Sequence, residues 1–262
     1  MKLKLQPASQ GALWVRQGIR AFWRQPFAMT ALFFLLMLLI SLVSAFPVVG
    51  SLAALALFPP LSLGLMAATR EIEMARFPRP WILFTAFRHG KARTLDMLMI
   101  GGLYAVAFAA LMLLASLLDE GQLARMYLAG DPIEVETLVK PEFQNALWLA
   151  MLLYLPVSAI FWHAPALVHW YGIPPVKSMF FSAVACWRNL GAFAVYLLAW
   201  AGVFVAGATI ILTISSAIGG ADLTSAVLMP GALLMAAMFF TSVYFSVKDC
   251  FDLPSPGSEV EV

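Results

Sequence analysis

Long uncharged apolar runs alternate with short polar stretches along this chain. Six of the runs reach the length of a membrane-crossing helix: 27–46, 48–68, 97–118, 146–170, 190–214 and 227–247. None of them contains Asp, Glu, Lys or Arg. The hydrocarbon core of a bilayer is about 30 Å thick, and about 20 consecutive apolar residues cross it as a helix. The pattern therefore predicts an all-α fold, a polytopic membrane bundle of six transmembrane helices forming one domain over 1–252. The first two runs are separated by almost nothing, so Pro47 and Gly50 are expected to make a tight helical hairpin. The tail 253–262 holds Pro254, Pro256, Gly257 and two glutamates, and is expected to be disordered.

Shorter segments precede each pair of runs and suggest three helical hairpins, each introduced by an interfacial helix: about 9–25, 79–89 and 175–188. At 100° per residue the first segment gathers Ala12, Val15, Ile19 and Phe22 on one face and Arg16, Arg20 and Arg24 on another, with Leu13 interrupting the polar side. In the third, Val176, Met179, Phe180, Ala183, Val184 and Trp187 share one side, with Ser178 and Ser182 opposite. The middle one (Trp81, Ile82, Leu83, Phe84, Phe87, then Arg88) is shorter and less clearly two-faced. Ala21-Phe22-Trp23-Arg24-Gln25 parallels Ala185-Cys186-Trp187-Arg188-Asn189. The even runs carry Pro59-Pro60, Pro156 and Pro230, read as helix breaks. Together these features describe a unit repeated three times in one orientation, a plan known among transporters and among bundles grown by duplication.

Charge sets the expected orientation. Fourteen of the sixteen Lys and Arg residues lie before the first run, between the second and third, between the fourth and fifth, or after the sixth. Only Arg125 and Lys140 lie in the opposite loops. By the positive-inside rule both termini are expected in the cytoplasm of a bacterial inner membrane. The interfacial basic residues Arg16, Arg20, Arg24 and Arg188 would then face anionic lipid on the cytoplasmic side, with the neighbouring aromatics toward the acyl chains. The largest external loop, 119–145, is acidic and reads as a solvated cap; Asp131-Pro132-Ile133-Glu134 has the form of a helix start, Gly130 of a helix end and Pro141 of a helix opening. The apolar run begins only at Phe27, after five basic residues, so the first span reads as a retained anchor rather than a signal peptide.

Composition agrees: 62% of the residues are hydrophobic and 11% charged, against about 45–50% and about 25% in a typical soluble domain. The net charge of +2 and the scattered basic residues give no phosphate-binding stripe for nucleic acid. Candidate chemistry is sparse. His163 is the ionisable side chain well inside a span, and intramembrane ionisable groups are functional candidates. With Pro165 and His169 it forms the candidate intramembrane polar site. His163 and His169 lie six residues apart and would not share a face of an ideal helix, although a bend at Pro165 could alter that. His163 reads either as an interhelical hydrogen-bonding group or as a substrate or proton site, and His169, beside Trp170 and Tyr171, as part of an aromatic belt. Asp96 could pair with Arg93 or Lys91. Cys186 and Cys250 lie in no metal or redox spacing and read as free thiols. Nucleotide loop, nucleophile elbow and zinc-helix motifs are missing, so no catalytic, metal or cofactor-binding residue is assigned. Small residues at four-residue spacing (Gly64 and Ala68; Gly101, Ala105 and Ala109; Gly202 and Ala206) mark packing seams.

Trp14–Gly18, Phe22-Trp23-Arg24-Gln25-Pro26, Gly64–Glu71 and the stretch from Trp162 to Lys177 resemble a family of uncharacterised multi-pass inner-membrane proteins of Gram-negative bacteria, over nearly the whole chain. The resemblance implies the membrane and the topology but carries over no site residue. A more distant likeness, in topology only, is to the membrane domain of some glycerophosphodiester phosphodiesterases, whose catalytic domain has no counterpart here. Mitochondrial-type carriers also use three repeats, but their prolines lie in the odd spans beside charged motifs, unlike this chain. The expected function is a non-enzymatic inner-membrane component supporting envelope or lipid-related processes, with the bilayer as its partner. The alternative is a transporter or channel for a small or lipidic solute, using proline-broken helices and His163.

Overall fold

A computed structural model describes residues 2–46, 49–88, 90–218 and 220–252, with backbone alone at 220–222 and 225. The tail 253–262, and Pro47 of the expected first turn, lie outside the described residues. Within them the chain is helical: α1 (Gln10–Arg24), α2 (Pro26–Ser44), α3 (Val49–Glu73), a 3-10 segment (Pro80–Phe87), α4 (Gly90–Asp119), α5 (Gln122–Ala124) leading into a π turn (Arg125–Ala129), α6 (Val135–Leu138), α7 (Pro141–Phe161), α8 (Ala164–Tyr171), α9 (Pro175–Arg188), α10 (Leu190–Ile218) and α11 (Gly220–Cys250). Six helical stretches are long and apolar enough to cross a membrane, α7 and α8 together making the fourth. The helices outrun the apolar windows. α4 starts at Gly90 and carries Lys91, Arg93 and Asp96 ahead of its apolar run, and α3 continues through Arg70 to Glu73. Helix length is set by the backbone ladder, whereas the sequence windows stop at the first charge.

The prolines do not break their helices: Pro59 and Pro60 lie inside α3, Pro156 inside α7 and Pro230 inside α11. A proline removes one i→i−4 bond, and a membrane helix tolerates this where neighbours re-satisfy the freed carbonyl. For Pro60 that carbonyl belongs to Ala56. Gly101 of α4 packs directly on the Ala56 oxygen, where any side chain would collide with it. The glycine thus lets a neighbouring backbone close over the gap the proline leaves. The break in the fourth span falls elsewhere, at Trp162 and His163.

The described chain forms two compact units: 2–34, Gly64–Leu83 and 185–252 in one, 35–63 and 84–184 in the other. In the first, α1 seats against α10 and α11. Its buried face is Gly11, Trp14, Val15, Gly18, Ala21 and Phe22, rotated from the expected face, since Ala12 is exposed. The glycines cause the rotation. An added Cβ at Gly11 would strike Ala192 of α10, and one at Gly18 would lie 2.6 Å from Ser242 Cα of α11. These are small-residue contacts of the kind that bring membrane helices together. Ser242 Oγ in turn meets the Tyr196 hydroxyl at 2.6 Å and accepts the Trp200 indole N–H at 3.1 Å. The middle pre-hairpin segment is a 3-10 helix rather than an amphipathic α-helix; its buried Leu83 lies on Gly64 of α3, where a Cβ would come 2.7 Å from the Leu83 carbonyl oxygen.

In the second unit, α4, α5 and α7 share a core of Leu111, Met112, Ala115, Leu123, Phe143, Ala146 and Ala150. The loop between them is not uniformly solvated. Asp119 is buried, and its carboxylate accepts the N–H groups of Gly121 at 3.0 Å and Leu123 at 2.6 Å, capping α5. Gly130 ends the π turn and Pro141 opens α7, but Asp131 starts no helix: α6 begins at Val135, with Glu134 at its N-cap position.

Candidate functional site

The fourth span is discontinuous, and the sequence shows why. In an unbroken helix the His163 N–H would bond to the Ala159 carbonyl, four residues back. Instead Ser182 Oγ of α9 sits between them, accepting from the His163 N–H at 2.9 Å and donating to the Ala159 oxygen at 2.7 Å. Two residues on, Pro165 has no N–H to offer the Phe161 carbonyl. A side chain inserted into the ladder beside a proline is a recognised cause of a sharp bend. The second half, α8, then runs to Gly172, whose φ of +64° closes a left-handed cap. The Gly172 N–H reaches the Val168 carbonyl at 3.1 Å, the bond of an αL cap, and the Ile173 N–H reaches the Leu167 carbonyl at 3.4 Å.

Arg93 of α4 completes that end. Its guanidinium donates to the Val168 carbonyl at 3.3 Å and to the His169 carbonyl, a cation where helix-end carbonyls carry partial negative charge. A Cβ on Gly172 would lie 3.1 Å from the same guanidinium. Its left-handed φ favours glycine there, and the missing Cβ leaves room for the Arg93 guanidinium. Of the three candidate polar residues, His163 occupies the junction itself and is fully buried, Pro165 lies in the first turn of α8, and His169 lies buried in its last turn beside the Trp170 ring. The six-residue separation persists: the histidines stand at opposite ends of α8. Ser182 is the residue that sequence reasoning missed. It was visible as a serine opposite an apolar face, without a sign that it entered a neighbouring backbone ladder.

The basic residues behave differently from one another. Arg16 and Arg20 are exposed on α1, and Arg188 is exposed at the end of α9. Arg24 is also exposed, but its guanidinium lies 3.9 Å from the Glu73 carboxylate, which Lys248 of α11 also pairs. α9 turns its polar side inward. Ser178, Ser182, Ala185 and Cys186 are buried, as is Asn189 just after the helix, whereas Val176, Phe180, Phe181 and Trp187 face out. In water such an inversion would be unfavourable; in lipid it places each group in its better solvent.

A polar latch joins the chain's two ends within the first unit. The Asp249 carboxylate accepts the Trp14 indole N–H at 2.8 Å and the Gln10 amide at 2.6 Å. Asn189 accepts the Gln6 N–H at 2.7 Å, and the Lys4 N–H reaches the Cys250 carbonyl at 2.9 Å. Cys186 and Cys250 are buried free thiols. Burial pushes the Cys186 thiol well above its usual range, and the Cys250 thiol adds to the effect. Among the described residues no group of three or more His, Cys, Asp or Glu side chains is placed to hold a metal ion.

No protein-family profile matches the chain, and no solved structure matches it. A probable inner membrane protein of Burkholderia thailandensis does: it is 38% identical over 261 residues, covering 98% of this chain and 97% of the relative. With six apolar helices and a likeness of that extent along both chains, this protein is a multi-pass inner-membrane protein and belongs to the same family as its Burkholderia relative.

Proposed function

We propose that this protein is a non-enzymatic component of the inner membrane that works through lipid contact in support of envelope processes, with both termini in the cytoplasm and its exposed arginines on anionic headgroups. The observation that supports this reading is the outward face of α9. Phe180 and Trp187 are 64% and 77% exposed, beside the exposed Lys177 and Arg188. Apolar side chains flanked by cations suit the boundary between acyl chains and anionic headgroups. Arg16 and Arg20, on the open face of α1, extend the same character. Each basic residue near an anionic surface contributes about 1 kcal/mol. A triple Arg16→Gln, Arg20→Gln, Arg188→Gln variant should therefore retain anionic lipid about 100-fold less tightly. Native mass spectrometry of protein extracted at low salt, counting co-purified phosphatidylglycerol, is the measurement. Undiminished retention would remove the proposal.

A second reading, transport of a small or lipidic solute, is favoured by one observation, the discontinuity of the fourth span. Broken helices form the substrate sites of many transporters. Proteoliposomes loaded with candidate solutes or labelled lipids test it: His163→Ala should abolish flux if the junction carries solute, and equal flux removes His163 from any such path.

A further inference from the structure

The geometry points to α9 as a lipid-packing sensor that sets the bend of the fourth span through Ser182. This rests on the lipid-contact reading above and adds a mechanism to it. Three observations converge on one helix. First, α9 is tethered to membrane spans at both ends, since only the three residues Gly172–Pro174 separate it from the end of α8 at Tyr171, and only Asn189 separates it from the start of α10 at Leu190. It stays at the bilayer surface, where an exposed apolar face is best solvated by lipid. Second, that face is apolar: Val176, Phe180 and Phe181 are exposed, while Ser178 and Ser182 behind them are fully buried. Third, the inward Ser182 hydroxyl is inserted in the helix ladder of the span beside it, between the His163 N–H and the Ala159 carbonyl.

The insertion has a complete alternative. When Ser182 withdraws, the His163 N–H and the Ala159 carbonyl can bond directly, four residues apart, as any helix does. The freed hydroxyl can bond back to the carbonyl of Ser178 one turn earlier, the habitual refuge of a helical serine. Both arrangements satisfy the same backbone groups, so neither leaves unmet a polar group that the other satisfies. Two states matched in this way differ by little and respond to a modest external bias. Loosely packed lipid accepts Phe180 and Phe181 more deeply and draws α9 outward, which withdraws Ser182 and straightens the span. Tightly packed lipid presses α9 inward and holds the bend. Pro165 keeps the junction from closing into a fully bonded helix, because the Phe161 carbonyl lacks its donor in both states.

The chain's three histidines make the test direct. Full-length protein labelled with 15N-histidine is reconstituted into aligned zwitterionic bilayers of either cylindrical or conical lipids. Oriented solid-state NMR then reads the angle of the His163 N–H to the membrane normal, with the resonance assigned by His89→Gln and His169→Gln. The His163 resonance should shift between the two lipids by more than its line width. Ser182→Ala should abolish that response, Ser182→Thr, which keeps the hydroxyl, should retain it, and Phe180→Gln should reduce it. A His163 resonance identical in both lipids would overturn the proposal, as would a Ser182→Ala protein that follows the lipid as the native chain does. Because charge is constant between these bilayers, failure here is distinct from failure of anionic-lipid retention in the arginine variants.

Discussion

Gly18 shows how much one missing side chain decides. It lies on the buried stripe of α1 against Ser242 of α11, and Ser242 is also the meeting point of the Tyr196 hydroxyl and the Trp200 indole. A leucine there has no space: its first carbon already falls 2.6 Å from the Ser242 Cα, so α1 would have to lift away. Overpacking of this kind costs about 1–3 kcal/mol, and displacing Ser242 would disturb both aromatic hydrogen bonds as well. Gly18→Leu should therefore lower the melting temperature of the detergent-solubilised protein by several degrees, read by fluorescence-detected size exclusion after heating. Gly102→Leu is the matched control, because nothing lies within 4 Å of a Cβ at that glycine. Equal melting of the two variants would show that α1 is not seated as described. In the sequence Gly18 was one residue of a familiar Trp-Val-Arg-Gln-Gly string, with no sign that it fixed a helix face.

At the level of elements, the six spans were legible because a run of about 20 residues without charge has few alternatives to a membrane helix. Their faces were not legible. Apolar periodicity finds the buried side of a helix only when the other side meets water. In α9 the outward solvent is lipid, so Val176 and Phe180 go out and Ser178 and Ser182 go in. In α1 the buried stripe is led by Gly11 and Gly18, which a hydrophobicity scale scores as nothing. The prolines misled for a related reason. Pro60 is read as a break because it removes a bond, but Gly101, forty-one positions away, packs over the carbonyl it frees. The real break at His163 needs Ser182 as well as Pro165, and only the fold brings that serine to the gap.

Across the whole molecule, the three pre-hairpin segments share a docking rule that the expected repeat did not contain. Each settles on the even span of the preceding hairpin: the 3-10 segment on Gly64 of α3, α9 on the α7–α8 junction at His163, and α1, first in the chain, on Ser242 of the last span. Six residues beyond each of these positions stands a basic-type side chain: Arg70, His169 and Lys248. We propose that this recurrence reflects the repeated hairpin unit expected from the sequence. It also requires the first helix to wait for the last, and the latch of Gln6, Gln10 and Trp14 with Asn189 and Asp249 then joins the two ends of the chain on one side of the membrane. We propose that this side is the cytoplasm, since the segments expected there hold fourteen of the sixteen Lys and Arg residues, the bias that keeps a segment cytoplasmic during insertion. A green fluorescent protein fused after Val262 should therefore fluoresce, since it matures only in the cytoplasm, and alkaline phosphatase inserted after Asp131 should be active, since it needs the periplasm. The reverse pattern would invert the molecule, place Arg16, Arg20 and Arg188 on the outer leaflet, and remove the cytoplasmic lipid surface on which the proposed role of α9 depends.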